Sequence, residues 1–546
     1  MPARLDRDQC FDVRRDLTLV KFKVGDVDMR RFFHGMAIAI GVLLAIGGTH
    51  DEAAEAAMGA IRNSTTGAAF EKLQDALSSA RDGDMIEISG GSYFGNFTID
   101  RRITLRGTPS GADRPVLDGE SRGSVLTVNA PGVVVENLTL RNSGREDDPF
   151  LFWGYAGVRI EADGARLANL HLSGNDWGIV MLGAKGSTVE TSLIEDNARD
   201  GIAIFGGREH RILGNTILRN ETGISIDVLH GERRSPFATL GDPASVARIA
   251  EDNARAQRSE DILVSRNEVR GNGSFGITAT WHSRRLTIED NVVHVTGIER
   301  KHDAAQMELM EKAVAASLGL SGVGVIDREA IGSGIYILCS VEDSLIVRNR
   351  SFDNLGAGIF LSQSNRNELS ANTVTDNETG IFIVSSVNNL AARNTVTSNR
   401  AFGIRIGGQN LMVEPSADNL LTLNDMAGNG VNAFDSSGRQ LTVDDLAGVI
   451  DSLPYPEAVK QQLRSNRSAR EAMLQSVLAN LKPGSNRWDD GSHGNRYDDF
   501  DERTEGFDDR NGDGISEAGH AIEGGPSIDH FPLDEPTVKR LGMGPQ

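Results

Sequence analysis

Two short stretches of the chain crowd titratable, cationic and aromatic side chains together. Asp227, His230, Arg233 and Arg234 form one, and Trp281, His282, Arg284 and Arg285 the other. Such a set suits an acidic sugar. The substrate carboxylate needs a neutralising cation, the proton α to it needs a base, and a sugar ring stacks on an aromatic face. His282, His230 and Arg284 are therefore the candidate catalytic groups. Asp227, Arg233, Arg234, Trp281 and Arg285 are the candidate substrate-binding groups. The same residues also fit a solvated ridge with no chemistry. A second constellation lies in the tail, Asp509-Arg-Asn-Gly-Asp-Gly-Ile-Ser-Glu517. Oxygen ligands at positions 1, 3 and 5, Gly at 6 and a carboxylate at 9 match the first part of a calcium loop. Asp509, Asn511, Asp513 and Glu517 are expected to hold a structural Ca2+. The position of the bidentate Glu is taken by His520, so the loop is not a complete EF-hand. Its alternative is an acidic turn that satisfies its own backbone. A soft-metal set of His282, His294, His302, Met307 and Met310 can also be drawn. Met307, Met310 and Val314 fall at helical spacing and read as the buried face of a short helix, so copper is not expected.

These residues sit on a repeat. Gly157-Val-Arg-Ile160, Gly178-Ile-Val-Met181, Gly201-Ile-Ala-Ile204 and Gly223-Ile-Ser-Ile226 begin 21, 23 and 22 residues apart (178−157, 201−178, 223−201). The phrase returns at Gly334, Gly358, Gly380 and Gly403. One short strand per period means coils that stack and share a continuous core. The expected fold is all-β, a right-handed parallel β-helix over residues 85–440 of roughly ten or more coils. Ile202, Ile204, Ile381, Ile383, Ile404 and Ile406 should point inward. Asn175, Asn197, Asn220, Asn272, Asn354, Asn377 and Asn399 precede the repeat Gly, and Asn215, Asn267, Asn291, Asn372 and Asn394 form a second set. Asn tolerates a left-handed turn, and its amide can bridge the coils above and below. Two insertions, near 231–260 and 300–330, break the period and are expected to wall a binding face. Residues 57–84 should hold an amphipathic cap helix with Phe70, Leu73, Leu77 and Ala80 on one face, shielding the first coil's open edge. Residues 441–482 read as a helical lid, two helices split near Pro454 and Pro456.

Composition agrees. Aromatics make up only 5% of the chain, which suits thin aliphatic coils. The formal charge of −21 argues against nucleic acid as a partner. Residues 1–56 read as a prefix and signal peptide, with Met1 or Met29 as the start. Arg30 and Arg31 precede an apolar run from Met36 to Gly48, and Ala54-Glu-Ala56 follows as a cleavage site. Export to the periplasm or beyond the cell is expected, with no transmembrane segment in the mature chain. Cys10 would leave with the leader, so Cys339 should be a lone, stacked core side chain.

The tail, residues 483–546, carries Asn486-Arg-Trp-Asp-Asp-Gly491, Gly494-Asn-Arg-Tyr497, the Asp509–Glu517 turn and Ile528-Asp-His-Phe-Pro-Leu533. It resembles the terminal segment of NosD-like β-helix proteins, within the pectin-lyase-like superfamily. Leu73-Gln-Asp-Ala76, Asp82-Gly-Asp84, Gly91-Ser-Tyr93 and Ile103-Thr-Leu-Arg-Gly107 are similar to that family's opening. The resemblance implies a periplasmic or extracellular protein. One branch assists copper-centre assembly of nitrous oxide reductase through protein partners, and related β-helices bind, cleave or epimerise acidic polysaccharides. The chain is thus expected to bind, with or without modifying, an acidic polysaccharide along one face. The alternative is an accessory role in copper-enzyme maturation.

Overall fold

The computed structural model describes residues 60–108, 114–146, 153–231, 255–297, 330–407, 415–439, 442–450, 457–478 and 484–542. Residues 1–59, on which the expected signal peptide falls, Arg233, Arg234, His302, Met307, Met310 and most of both insertions lie outside the described residues.

Among the described residues the chain winds through three sheets of 14, 13 and 12 strands, parallel from rung to rung. A rung enters the first sheet (Thr188–Glu190, for example), turns into the second (Leu193–Glu195) and turns again into the third (Ile202–Phe205). Third-sheet strands are the longest, up to six residues as in Thr379–Val384. The rod is the expected right-handed parallel β-helix.

Two local rules hold each rung in register. Apolar residues alternate, and the inward set stacks: Ile202, Ile204, Ile381, Ile383, Ile404 and Ile406 are fully buried. The repeat Gly supplies close approach, not unusual φ. A Cβ on Gly380 would stand 2.5 Å from the Gly403 carbonyl and 2.8 Å from the Asn399 amide.

The Asn ladders are present at the corners, and a third runs through Asn367, Asn389, Asn419 and Asn486. Asn372 is representative. It donates to Ile346 C=O (2.8 Å) and Asn394 Oδ1 (3.0 Å), and accepts from Asn349 (3.1 Å). The left-handed φ falls on the preceding residue, such as Arg219, Arg266, Asp290 and Asp376. Asn is therefore selected here for its amide, which corrects the expectation that it serves the turn.

At the N-terminal end the helix is shorter than expected, Leu73–Ser79, with Leu73, Leu77 and Ala80 buried. A small antiparallel hairpin, Ile61–Asn63 with Ala69–Phe70, pairs with Met85–Ser89 and closes the first sheet's edge. The lid region contains three described helices rather than two, Val443–Val449, Glu457–Ser465 and Arg467–Leu478. Leu446, Ile450, Leu463 and Leu474 give it a small core of its own. Cys339 is buried as expected and belongs to an apolar cluster with Trp281 and Tyr336. Among the described residues no helix is long and apolar enough to cross a membrane.

Candidate functional site

The sequence-predicted residues gather where third-sheet strands end. Asp227 closes the strand Thr222–Asp227 in register with Phe205, and its Oδ1 accepts from the Val228 N–H (2.7 Å). Leu229 and Gln257 then pair antiparallel, strapping the chain back onto the rod. Trp281 and His282 occupy consecutive left-handed positions (φ 48° and 56°), and the His282 N–H donates to Cys339 C=O (2.9 Å). Asp227, His230 and Trp281 are all buried, Trp281 at 2% exposure. Trp281 belongs to an apolar cluster with Phe275, Tyr336, Phe360 and Phe382. The open stacking platform expected at Trp281 is therefore not there: its ring is spent on packing. Arg284 and Arg285 reach solvent but are paired, Arg284 with Glu260 (2.9 Å) and Arg285 with Glu260 (2.8 Å) and Asp261 (2.7 Å). Hydrogen bonds donated to Asp261 and Glu260 raise the Arg285 pKa.

The outer face of the third sheet is closed over its middle rungs and half-exposed toward its ends, at Thr98, Thr127, Arg159, Arg405 and Phe434. Outward positions follow one another in register as Ala203, Ser225, Thr278, Tyr336, Phe360 and Phe382, all buried. Phe275 stacks on Tyr336 at 4.7 Å, and Trp153, Trp177 and Phe205 form a second aromatic group. Between them lies a polar band, in which Ser225 Oγ donates to Asp200 Oδ2 (2.6 Å).

The second sheet presents the opposite surface. Its outward rows stay partly exposed and carry Thr139, His171, Leu193, Glu195, Arg270, His294, Arg350, Phe352 and Thr373. His294 stacks on Phe352 (4.6 Å), and Arg350 lies over the same ring (5.5 Å). Burial, more than the flanking charges, lowers the His294 pKa. Toward the N-terminal end is a concavity of about 610 Å³, lined by Arg114, Val116, Thr139, Asn169, His171 and Leu193 among others. Arg114 donates to Asn169 C=O (3.1 Å) and Oδ1 (2.7 Å). His171 Nε2 meets Glu195 Oε1 (2.9 Å), and Arg219 holds Glu195 Oε2 (2.6 Å) and Asp196 (2.7 Å). The Arg219 hydrogen bond, against some burial, holds Asp196 below the usual carboxylate range. Sequence reasoning missed this cluster because Arg114 and His171 are far apart in the chain. A usable signal exists: Thr139, His171 and Leu193 occupy one repeat position in successive rungs.

In the tail, the predicted calcium ligands engage their own backbone. Asp509 accepts from the Gly512 N–H (2.7 Å) and Gly514 N–H (2.9 Å), Asn511 from Asp513 (2.9 Å), and Asp513 from Ile515 (2.9 Å). Glu517 accepts from the Arg510 N–H (2.8 Å). Slight burial raises the Asp509 pKa, and these backbone donors outweigh it and lower it. Among the described residues no group of three or more His, Cys, Asp or Glu is placed to hold a metal.

Acids at the C-terminal end of the rod end the ladders. The Asn495 side chain donates to Asp529 (3.2 Å), as does its backbone N–H (2.7 Å), Asn486 donates to Asp435 (3.2 Å), and Asn432 to Asp498 (2.8 Å) and Asp499 (2.7 Å). Tyr497 also donates to Asp529 (2.9 Å). Burial pushes the Asp529 pKa up to about 6 despite these donors.

Stacked coils and Asn ladders together define a right-handed parallel β-helix protein, similar over part of its length to the NosD family. The NosD family model, described as a periplasmic copper-binding protein, matches residues 323–444, and a right-handed β-helix model matches 116–235. A probable ABC transporter binding protein NosD of Pseudomonas aeruginosa is 33% identical over 160 residues, 27% of this chain and 35% of that protein. The Stutzerimonas stutzeri protein of the same description is 27% identical over 146 residues, 25% of this chain and 31% of its own length. The match thus spans about a third of these curated relatives. Among solved structures, the periplasmic alginate epimerase AlgG is similar at 15% identity and TM-score 0.38, over 64% of this chain and 81% of that one. The A-module of Azotobacter vinelandii mannuronan C-5 epimerase AlgE4 is similar at 12% identity and TM-score 0.40, over 66% and 92%.

Proposed function

We propose that the protein is exported and binds an extended, acidic polysaccharide along the outer face of its second sheet. One observation carries this reading: that face stays open and combines hydroxyls, cations and the Phe352 ring in rows. Successive rungs are about 4.8 Å apart, so each row offers a polymer evenly spaced contacts. Bond-changing chemistry at His230 would require its covering chain to open first, whereas His282 and Arg284 are half-buried. A glycan array probed with the full mature chain tests the proposal. Binding to uronate polymers that weakens with salt is expected, and absence of binding to every glycan rejects it.

A second reading is an accessory protein acting through a protein partner, such as a transporter, during copper-enzyme maturation. The 33% identity to a probable ABC transporter binding protein favours it. Capture of a transporter component from a periplasmic and membrane extract, with a silent glycan array, would select this reading.

A further inference from the structure

We infer that the concavity beside Arg114 is a subsite for one carboxylated sugar unit, with Arg114 receiving the carboxylate and His171 lining the site beside it. This rests on the reading of the second sheet as the glycan face and names the unit bound there.

The cation is the first argument. Arg219, Arg285, Arg348 and Arg366 each grip a pair of acids on the preceding rung. Arg114 breaks that pattern. Its bonds run to the carbonyl and amide oxygen of Asn169, both neutral, and it makes no ion pair among the described residues. A guanidinium has five N–H donors, and these two bonds fix its plane while leaving donors for an anion. A cation already held in place loses little freedom when a ligand arrives.

The second argument is the setting of His171. Glu195 orients the ring through Nε2, and Arg219 balances Glu195 from its other side. Glu195 is thereby occupied and does not compete for Arg114. The third argument is the lining. Val116 and Leu193 supply a half-buried apolar patch and Thr139 a hydroxyl. A volume of about 610 Å³ suits a small ligand, and a sugar acid offers a matching carboxylate, hydroxyls and an apolar ring face.

Calorimetric titration of the full mature chain tests the subsite. The probes are tetramers of galacturonate and mannuronate, with cellotetraose as the neutral control. Acidic tetramers should bind and cellotetraose should bind at least tenfold more weakly. Arg114→Ala should weaken acidic binding tenfold or more, Arg114→Lys less, and His171→Gln severalfold. Arg348→Ala, an ion-paired corner on a distant rung, should change nothing. Thermal melts check folding, and Arg114→Lys carries the test if Arg114→Ala fails to fold. Unchanged acidic binding in both Arg114→Lys and His171→Gln overturns the subsite while leaving the polysaccharide reading intact. Equal binding of cellotetraose overturns the carboxylate role alone. Binding of no glycan overturns both.

Discussion

The second and third sheets are built from the same rungs, yet over the middle of the rod one keeps its outer face open and the other closes it. In the second sheet, strands such as Thr373–Thr375 alternate buried and half-exposed residues. In the third, strands such as Ala357–Ser362 and Thr379–Val384 are buried at every position. Inner faces do not differ, since both stack aliphatic side chains in the common core. The difference lies in the outward rows, Thr and charged groups on one sheet, Tyr336, Phe360 and Phe382 on the other. A two-residue alternation thus says which way a side chain points, and its chemistry then decides whether the face is wetted or covered.

The largest expected effect sets the scale for the closed sheet. Ile383→Asp places an unpartnered carboxylate in the shared core and should cost about 4 kcal/mol or more in a denaturation series. A variant that melts like the parent would break the assigned register. Phe360→Ala comes next and bears on the comparison directly. It removes an outward but buried ring between Tyr336 and Phe382 and should cost about 3–4 kcal/mol. Thr373→Ala, outward on the open sheet, should stay within about 0.5 kcal/mol. Equal costs would erase the distinction between the faces.

A third effect lies at the end of the rod where both sheets stop. The folded pKa of Asp529 is about 6, raised from an ordinary 3.8 by burial. The proton is therefore held more tightly in the folded state. This contribution is fully present below 3.8 and is lost as pH rises through about 6. The C-terminal segment should tighten on acidification from pH 7 toward 5, by about 1.4 kcal/mol, because the one pH unit below 6 contributes about 1.36 kcal/mol. His520 works the other way, because burial lowers its pKa and protonation on acidification opposes folding. The difference in proteolysis between the parent and Asp529→Asn across this range isolates the Asp529 part. A slope shared by both assigns the effect elsewhere. The smallest expected effect is that of chelation. Asp509, Asn511 and Asp513 already serve backbone donors, so EDTA should leave cleavage near Asn511 unchanged. Protection on adding Ca2+ would instead establish the calcium loop.

The inward Ile set and the Asn positions were legible because they depend only on period, which a chain carries locally. Trp281 was misjudged because exposure depends on what covers a residue, and an aromatic beside His and Arg reads alike on either face. Arg114 and His171 escaped notice because stacked rungs, not sequence neighbours, bring them to one concavity. Asp529 escaped for a similar reason: its role depends on Asn495, 34 residues earlier. The hairpin Ile61–Asn63 with Ala69–Phe70 is too short to show any alternation, so the edge was credited to the helix alone.

The ladder amides point the same way, each oxygen accepting from the Asn of the rung before and one N–H donating to the Asn of the rung after. A row of aligned amides has a direction, as a helix does, and its donor end carries partial positive charge. Here that pole faces the C-terminus, and Asp435, Asp498 and Asp529 meet it. An aspartate at a helix N-cap answers unsatisfied N–H groups in the same way. The acidity of the tail is thus matched to the polarity of the rod. A tail rich in lysine would leave two of the three rows of donors, those that Asp498 and Asp529 meet, open to water or to another chain.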